Sequence, residues 1–203
     1  MKKLYENIED IYIKGDISQL SEVVKTMDAF LQNIAAYTEQ LTDYLVKYSV
    51  TNNGNQYRKV VDTCMTLRDV LFDASYQLND MQNQIVAYQN KIYRYEDMAG
   101  YAQSANPCFI IKRQVQLDAS LIQFNLTDMI NLTEILENYN EQMYYNLKLI
   151  NEKKNEIASV WQDTQYNIFA EFINEVIKNS VDAIQVFGNY ILHLKDKIKE
   201  LSS

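Results

Sequence analysis

Apolar residues recur every three or four positions along most of this chain, and this spacing restricts its fold more than any other feature. Side chains spaced in this way lie along one side of an α-helix, where they pack against neighbouring helices. The chain has only four glycines and one proline, so few turns can separate its helices. The pattern therefore predicts a small number of unusually long helices.

Three of the four apolar rows are nearly uninterrupted. The first row comprises Leu20, Val24, Met27, Leu31, Ile34, Thr38, Leu41, Leu45 and Tyr48. The second comprises Val61, Cys64, Leu67, Leu71, Ala74, Leu78, Met81, Ile85, Tyr88, Ile92 and Tyr95. The fourth comprises Phe169, Ile173, Ile177, Ser180, Ile184, Phe187, Ile191, Leu194, Ile198 and Leu201. The third row is looser at first, and it comprises Ile111, Val115, Ile122, Leu126, Met129, Leu136, Tyr139, Met143, Leu147, Ile150 and Ile157. It predicts a helix from about 109 to 158 with a bend or break near 125–128.

Short polar turns at 51–55 and 160–165 join these rows in pairs. Long helices that are joined by a tight corner fold back on each other, because neither is stable alone. The predicted segments are a short N-terminal segment at 1–16, a first helical hairpin at 17–98, a connector at 99–108 and a second helical hairpin at 109–203. The predicted fold class is all-α, with two tandem long antiparallel hairpins that form a four-helix bundle or an elongated helical rod.

The formal net charge of −8 and the sequence pI of about 4.7 exclude several kinds of partner. An acidic chain is repelled by nucleic acid and by anionic membrane surfaces. No stretch approaches the roughly 20 apolar residues of a transmembrane helix, so we expect no stable membrane insertion. The N-terminal residues lack the apolar core of a signal peptide. The chain is therefore expected either to leave the cell by a Sec-independent route, staying cytoplasmic before export, or to remain in the cytosol.

Residue types that carry chemistry are scarce in this sequence. His193 is the only histidine, and no Glu-X-X-His pair is present, which argues against an imidazole-based catalytic dyad or a di-iron site. Cys64 and Cys108 lack the spacing of metal ligands. We therefore predict no catalytic residues, no metal, no cofactor and no enzymatic activity.

The second corner has the most specific local sequence. Trp161 is followed by an aromatic residue two turns later, Phe169, and then by Phe172, within the stretch 156–172. This stretch resembles the Trp-X-Gly proteins of type VII secretion and the related LXG domains, whose hairpin corner carries a Trp-X-Gly. Asp163 replaces the glycine here, and aspartate can hold such a turn by capping the next helix. The resemblance implies that Trp161, Asp163, Phe169 and Phe172 form the corner motif and contact a partner.

The end of the first hairpin carries a second feature of that family. Members have a Tyr-X-X-X-Asp/Glu export signal after a hairpin, and Tyr93 and Asp97 match it. Spacing of four residues predicts that both side chains lie on one helix face. In a chain with 16 tyrosines and 27 acidic residues, however, chance also produces this pattern.

The sequence as a whole predicts a non-enzymatic, protein-binding helical bundle. The resemblance implies a type VII secretion substrate, adaptor or effector-targeting partner, which binds another helical hairpin protein, a secretion ATPase or a second copy of itself. The alternative is a cytosolic structural or scaffolding bundle with no export role. Two roles remain open for Trp161, which either packs the corner against the third helix or also shapes a groove for a partner. The tyrosines on or beside the rows either pack the bundle or form a face that binds a partner helix. They are Tyr37, Tyr44, Tyr48, Tyr88, Tyr95 and Tyr139.

Overall fold

The computed structural model describes residues 16–99, 107–118, 121–159, 161 and 164–203. Four long helices account for most of them: α1 (Ile17–Tyr48), α2 (Asn55–Tyr95), α3 (Leu126–Ile157) and α4 (Thr164–Ser202). The prediction of an all-α fold is confirmed. None of these four helices combines the length and the apolar character that crossing a membrane requires.

The four helices close one bundle within a single chain, so the alternative of an elongated rod is wrong. Helix α1 packs against α2 and α3, and α4 packs against the same two helices. The side chains of Thr38 and Tyr139 meet at 3.1 Å, as do those of Asn33 and Asn146, which shows that α1 and α3 are antiparallel. The helices therefore run up, down, down and up, with one long crossover between α2 and α3.

The apolar rows form the core, as their spacing predicts. Nearly all of their members are buried, and they come together in one continuous cluster that includes residues of all four helices. In the first, second and fourth rows the exposed exceptions are Tyr95 and Leu201, which lie at the ends of α2 and α4. Burial of these rows is the main stabilising contribution, because helices of this length gain most of their stability from tertiary packing.

Helix α3 begins at Leu126, so the predicted start near 109 is wrong. Asn125 caps the helix, since its side-chain oxygen accepts a hydrogen bond from the backbone nitrogen of Asp128 at 3.0 Å. Residues 107–118, which we call the strap, are not helical. Ile110 is the buried apolar residue of the strap, whereas Ile111, which belongs to the predicted row, is exposed.

Because the strap is not helical, some of its backbone groups form hydrogen bonds with side chains of α2 instead. The Asn79 amide donates to the carbonyl of Cys108 at 2.7 Å and accepts from its backbone nitrogen at 3.0 Å. The buried guanidinium of Arg68 donates to the carbonyl of Arg113 at 2.7 Å. Arg113 in turn forms an ion pair with Asp43 of α1. The strap is thus held by backbone contacts to α2 and by a charge on α1.

The far end of the crossover is attached to the first corner. Asn53 and Gln123 exchange two backbone hydrogen bonds, at 2.7 and 3.3 Å, in an isolated antiparallel bridge. The side chain of Asn52 accepts from the backbone nitrogen of Asn125 at 2.9 Å. Gly54 has a φ of 102°, a value that residues with a side chain rarely adopt. The first corner therefore fixes the point at which α3 begins.

Replacing Asn79 with leucine is expected to release the strap near Cys108. The change leaves two backbone groups of Cys108 without their partner, which costs about 1–3 kcal/mol. Burial raises the pKa of the Cys108 thiol, and the charge of Asp28 raises it further. Release of the strap would expose the thiol, which lowers its pKa and increases the thiolate fraction. We expect Cys108 to react faster with a thiol reagent, while the buried Cys64 stays unreactive.

The matched control for this experiment is Asn83→Leu, which alters an exposed amide one turn further along α2. That variant should leave the reaction rate of Cys108 unchanged. Equal rates in the two variants would contradict the role of Asn79.

Candidate protein-binding surface

Trp161 lies at the centre of a cluster of aromatic rings at the second corner. Its ring stacks on Tyr88 of α2, with 5.5 Å between the centroids, and lies 5.5 Å from Phe169 and 5.9 Å from Tyr166 of α4. Only 2 % of the residue is exposed. The indole nitrogen is buried and has no hydrogen-bond partner among the described residues. The second corner is thereby joined to the first hairpin.

This geometry favours the packing role of Trp161. We predicted packing against the third helix, but the aromatic contacts of Trp161 reach α2 and α4. A buried ring offers little area to a partner, so a direct contact would require the corner to open. Whether Trp161 shapes a surface for a partner stays a prediction.

The other corner residues differ in their positions. Phe169 is buried within the aromatic cluster. Phe172 is only partly buried and packs against the core from the side. Asp163 lies outside the described residues, so its predicted capping role stays a prediction.

The prediction that Tyr93 and Asp97 lie on one helix face is wrong. Helix α2 ends at Tyr95, and Asp97 lies beyond it with a φ of 48°. The backbone nitrogen of Met98 donates to the carbonyl of Tyr93 at 3.0 Å, a bond that commonly closes a helix C-terminus. Tyr93 and Asp97 therefore do not share one helix face, because the chain turns between them. The assignment of the two residues to an export signal is unaffected and stays a prediction.

A groove of about 480 Å³ runs between α3 and α4 on the outside of the bundle. Gly188 and Ile184 of α4 and Asn140 and Tyr144 of α3 line it. A Cβ atom at Gly188 would lie 3.3 Å from the side-chain nitrogen of Asn140, so glycine lets the two helices approach closely. Glycine within a helix costs about 1 kcal/mol relative to alanine, and this close approach accounts for its presence.

Helix α3 exposes three large apolar side chains on its outer side, where charged residues such as Glu141 and Lys148 are also exposed. Met143 and Leu147 point into the core, while Tyr144, Tyr145 and Leu149 are exposed. The side chain of Tyr145 is 62 % exposed. Of these three residues, Tyr144 also lines the groove, together with the exposed Glu141. We call the groove together with Tyr144, Tyr145 and Leu149 the α3 face.

Sequence reasoning missed the α3 face. Of the tyrosines that it singled out, Tyr48, Tyr88 and Tyr139 are buried in the core. The pair Tyr144 and Tyr145 was available as a signal, because it lies directly beside Met143 of the third row. An apolar pair next to a core position indicates a second apolar side of the helix.

No group of three or more histidine, cysteine, aspartate or glutamate side chains that could hold a metal ion occurs within the described residues. Both cysteines are free. Burial raises the pKa of the Cys64 thiol well above its usual range, which keeps it protonated and unreactive at neutral pH.

Comparisons with known proteins add little to this description. Neither a protein-family model nor a curated protein matches the chain. Among solved structures, the chain is similar to an archaeal Dps homologue from Halobacterium salinarum, with 12 % sequence identity, a TM-score of 0.37 and coverage of 94 % of each chain. A similarity at this score carries no argument about the function of the chain.

Proposed function

We propose that this chain is a non-enzymatic bundle that binds an amphipathic helix of another protein on its α3 face. The observation that carries the proposal is that α3 exposes Tyr144, Tyr145 and Leu149 outside its buried row, and that Tyr144 lines a groove. Large apolar side chains that lie close together on an exposed surface often mark a contact with another protein. Tyrosine also suits an interface that forms and dissociates, since its ring is apolar and its hydroxyl remains in contact with water.

The groove fits the recognition of a helix. A partner helix that lies along α3 and α4 would place a small number of apolar anchors between Tyr144 and Ile184. Gly188 lines the groove at this point and has no side chain to fill it, so an anchor side chain could enter. Asn189 and Gln185 at the rim offer hydrogen bonds that fix the orientation of the partner. Binding and release of the helix would need no chemical step.

Site-specific photo-crosslinking in cells that express the chain natively tests this proposal. A benzophenone amino acid in place of Tyr145 is expected to capture a discrete protein partner. The matched control carries the same amino acid in place of Val50, which is 73 % exposed at the first corner, away from the groove. Adducts at Tyr145 and not at Val50 are the expected result. No adduct, or the same adducts at both positions, contradicts the proposal.

A double substitution separates binding from folding. Tyr145→Ser with Leu149→Ser removes two exposed apolar side chains, so we expect the free energy of unfolding to change by only about 0.5 kcal/mol per site. Capture by a crosslinker at the neighbouring Tyr144 should fall sharply. If the captured protein is a second copy of the chain, light scattering will show a dimer that the double substitution dissociates.

A narrower form of the proposal is that the partner belongs to type VII secretion and that the chain is its substrate, adaptor or effector-targeting partner. Trp161 at a hairpin corner, followed by Phe169, supports it. The test measures export of the chain in its own host. Tyr93→Ala and Asp97→Asn should each reduce export, whereas Tyr95→Ala, at an exposed position of the same helix end, should not. Recovery of the chain from cell pellets alone favours the cytosolic scaffolding alternative.

A further inference from the structure

Residues 69–76 of α2 contain a short internal repeat. The pattern Asp-X-X-aromatic occurs twice in succession, first as Asp69 and Phe72 and then as Asp73 and Tyr76, and we call these pairs the first and second units. Residues three apart on a helix are neighbours on its surface, with about 5–6 Å between their Cβ atoms. Helical side chains also point back toward the N-terminus, so each ring extends toward the turn that carries the aspartate of its unit. The two units therefore place a carboxylate beside an aromatic ring in the same way, about one turn apart.

The first unit holds a cation that comes from the same chain. Lys112 of the strap places its Nζ atom 4.0 Å from the centroid of the Phe72 ring. The same atom lies 3.5 Å from a carboxylate oxygen of Asp69. A cation over an aromatic ring is attracted by the negative face of the ring, and the carboxylate adds a full opposite charge. The first unit thus shows how a cationic side chain binds to this pattern.

The second unit has no such occupant among the residues that the structure describes. Tyr76 is 51 % exposed, and no described lysine or arginine lies over its ring. Asp73 is exposed and forms no ion pair within the described ranges. Asp80, one turn beyond Tyr76, places a second exposed carboxylate beside the ring. The second unit thus presents to solvent the kinds of group that hold Lys112 in the first unit.

The ring of Tyr76 is held in place by two other aromatic rings. Its centroid lies 4.9 Å from that of Phe72 and 4.5 Å from that of Phe109 in the strap. Phe109 is itself 39 % exposed, so the two rings form an apolar patch on the surface. A ring that is already fixed loses little conformational freedom when a partner binds to it. Exposed apolar patches with a polar rim commonly mark a contact with another protein.

We propose that the second unit binds an arginine side chain in a basic segment of a partner protein. A guanidinium is planar, stacks on aromatic rings and pairs with carboxylates, so it suits Tyr76 with Asp73 and Asp80 beside it. The net charge of −8 attracts a basic segment and repels an acidic one. An apolar neighbour of the arginine can pack on Phe109. The proposal does not depend on the α3 face, since this surface belongs to α2 and the strap.

Substitutions identify the groups that bind the arginine. Tyr76→Leu removes the ring and keeps an apolar side chain, and Asp73→Asn removes a charge. Each is expected to weaken binding of N-acetyl-arginine methylamide about threefold, as loss of an exposed cation–π contact or ion pair does. Tyr95→Leu and Asp62→Asn, at exposed positions of the same helix, are the matched controls and should leave binding unchanged. Helical circular dichroism will show that all four variants are folded.

Binding is measured by titrating the full chain with N-acetyl-arginine methylamide and recording amide nuclear magnetic resonance spectra. Saturable shifts confined to residues 72–80 and to Phe109 are expected. N-acetyl-citrulline methylamide, which has the same shape without the charge, should not produce them at equal ionic strength. Absence of shifts, equal shifts with the citrulline derivative, or unchanged binding in either Tyr76→Leu or Asp73→Asn overturns the proposal. Tighter binding of free L-arginine or of spermidine would assign the surface to a small molecule and also overturns it.

Discussion

Replacing Trp161 with alanine is expected to lower the free energy of unfolding by about 3–5 kcal/mol, the range measured for large aromatic residues in protein cores. The ring is 2 % exposed and contacts Tyr88, Phe169 and Tyr166, so its removal leaves a cavity that three aromatic neighbours cannot fill. The loss should affect the whole bundle, because Trp161 joins the second corner to α2. Urea denaturation followed by helical circular dichroism measures it.

Two control variants separate packing from other effects of this change. Trp161→Phe keeps an aromatic ring and removes the unpaired indole nitrogen. We therefore expect it to lower the free energy of unfolding much less than Trp161→Ala does. Tyr95→Ala removes an exposed aromatic residue and should change the free energy of unfolding little. A loss below about 1 kcal/mol for Trp161→Ala would show that the corner does not hold the hairpins together.

The bundle is expected to unfold cooperatively at alkaline pH. Burial raises the pKa of Tyr139, of Tyr57 and of the Cys64 thiol, and the hydrogen bond between Thr38 and Tyr139 opposes part of the shift in the pKa of Tyr139. Because these native pKa values exceed the unfolded ones, the unfolded chain loses its protons first as the pH rises. The stabilisation is therefore complete at neutral pH. It decreases above about pH 9 for the thiol and above about pH 10 for the tyrosines, by about 1.4 kcal/mol per pH unit for each group. The three groups together remove about 4 kcal/mol per unit.

Tyrosinate absorbance and helical circular dichroism, recorded together against pH, measure this effect. Exposed tyrosines should ionise first while the helices persist. The buried tyrosines should ionise only as the helical signal is lost. Tyr139→Phe should make the decrease in stability with pH less steep, whereas Tyr145→Phe, at an exposed position, should not change it. Ionisation of all 16 tyrosines in one step, with the helices intact, would contradict the assignment.

The sequence predicted α1, α2 and α4 well, because an apolar row that keeps helical spacing over about thirty residues is buried only when the segment is a helix packed against others. It predicted the strap wrongly. Ile111, Ile122 and Leu126 continue the helical spacing, yet Ile111 and Ile122 are exposed and Leu126 is the first residue of α3. The deciding contacts come from Asn79 and Arg68, which lie far away in the chain, and a periodic pattern contains no information about them.

The candidate surfaces depend even more on contacts between distant parts of the chain. Tyr144 and Tyr145 are visible in the sequence, but their exposure depends on which side of α3 faces α1. A cavity between α2 and α4 that Ala74 and Ser180 line likewise depends on the register of these two helices. The stacking of Trp161 on Tyr88 joins two hairpins that the sequence treats separately. Local patterns predicted the elements, and their packing determined the surfaces.

All of these surfaces exist because the two hairpins of one chain close on each other. Contacts between protons of Thr38 in α1 and the ring of Tyr139 in α3 test this claim most directly, since the two hydroxyls are 3.1 Å apart. We expect a strong nuclear Overhauser effect between the threonine methyl group and the tyrosine ring within a single chain. In a mixture of labelled and unlabelled chains, the intermolecular experiment should show no such signal. Absence of the effect, or its appearance only between chains, would contradict the closed single-chain bundle.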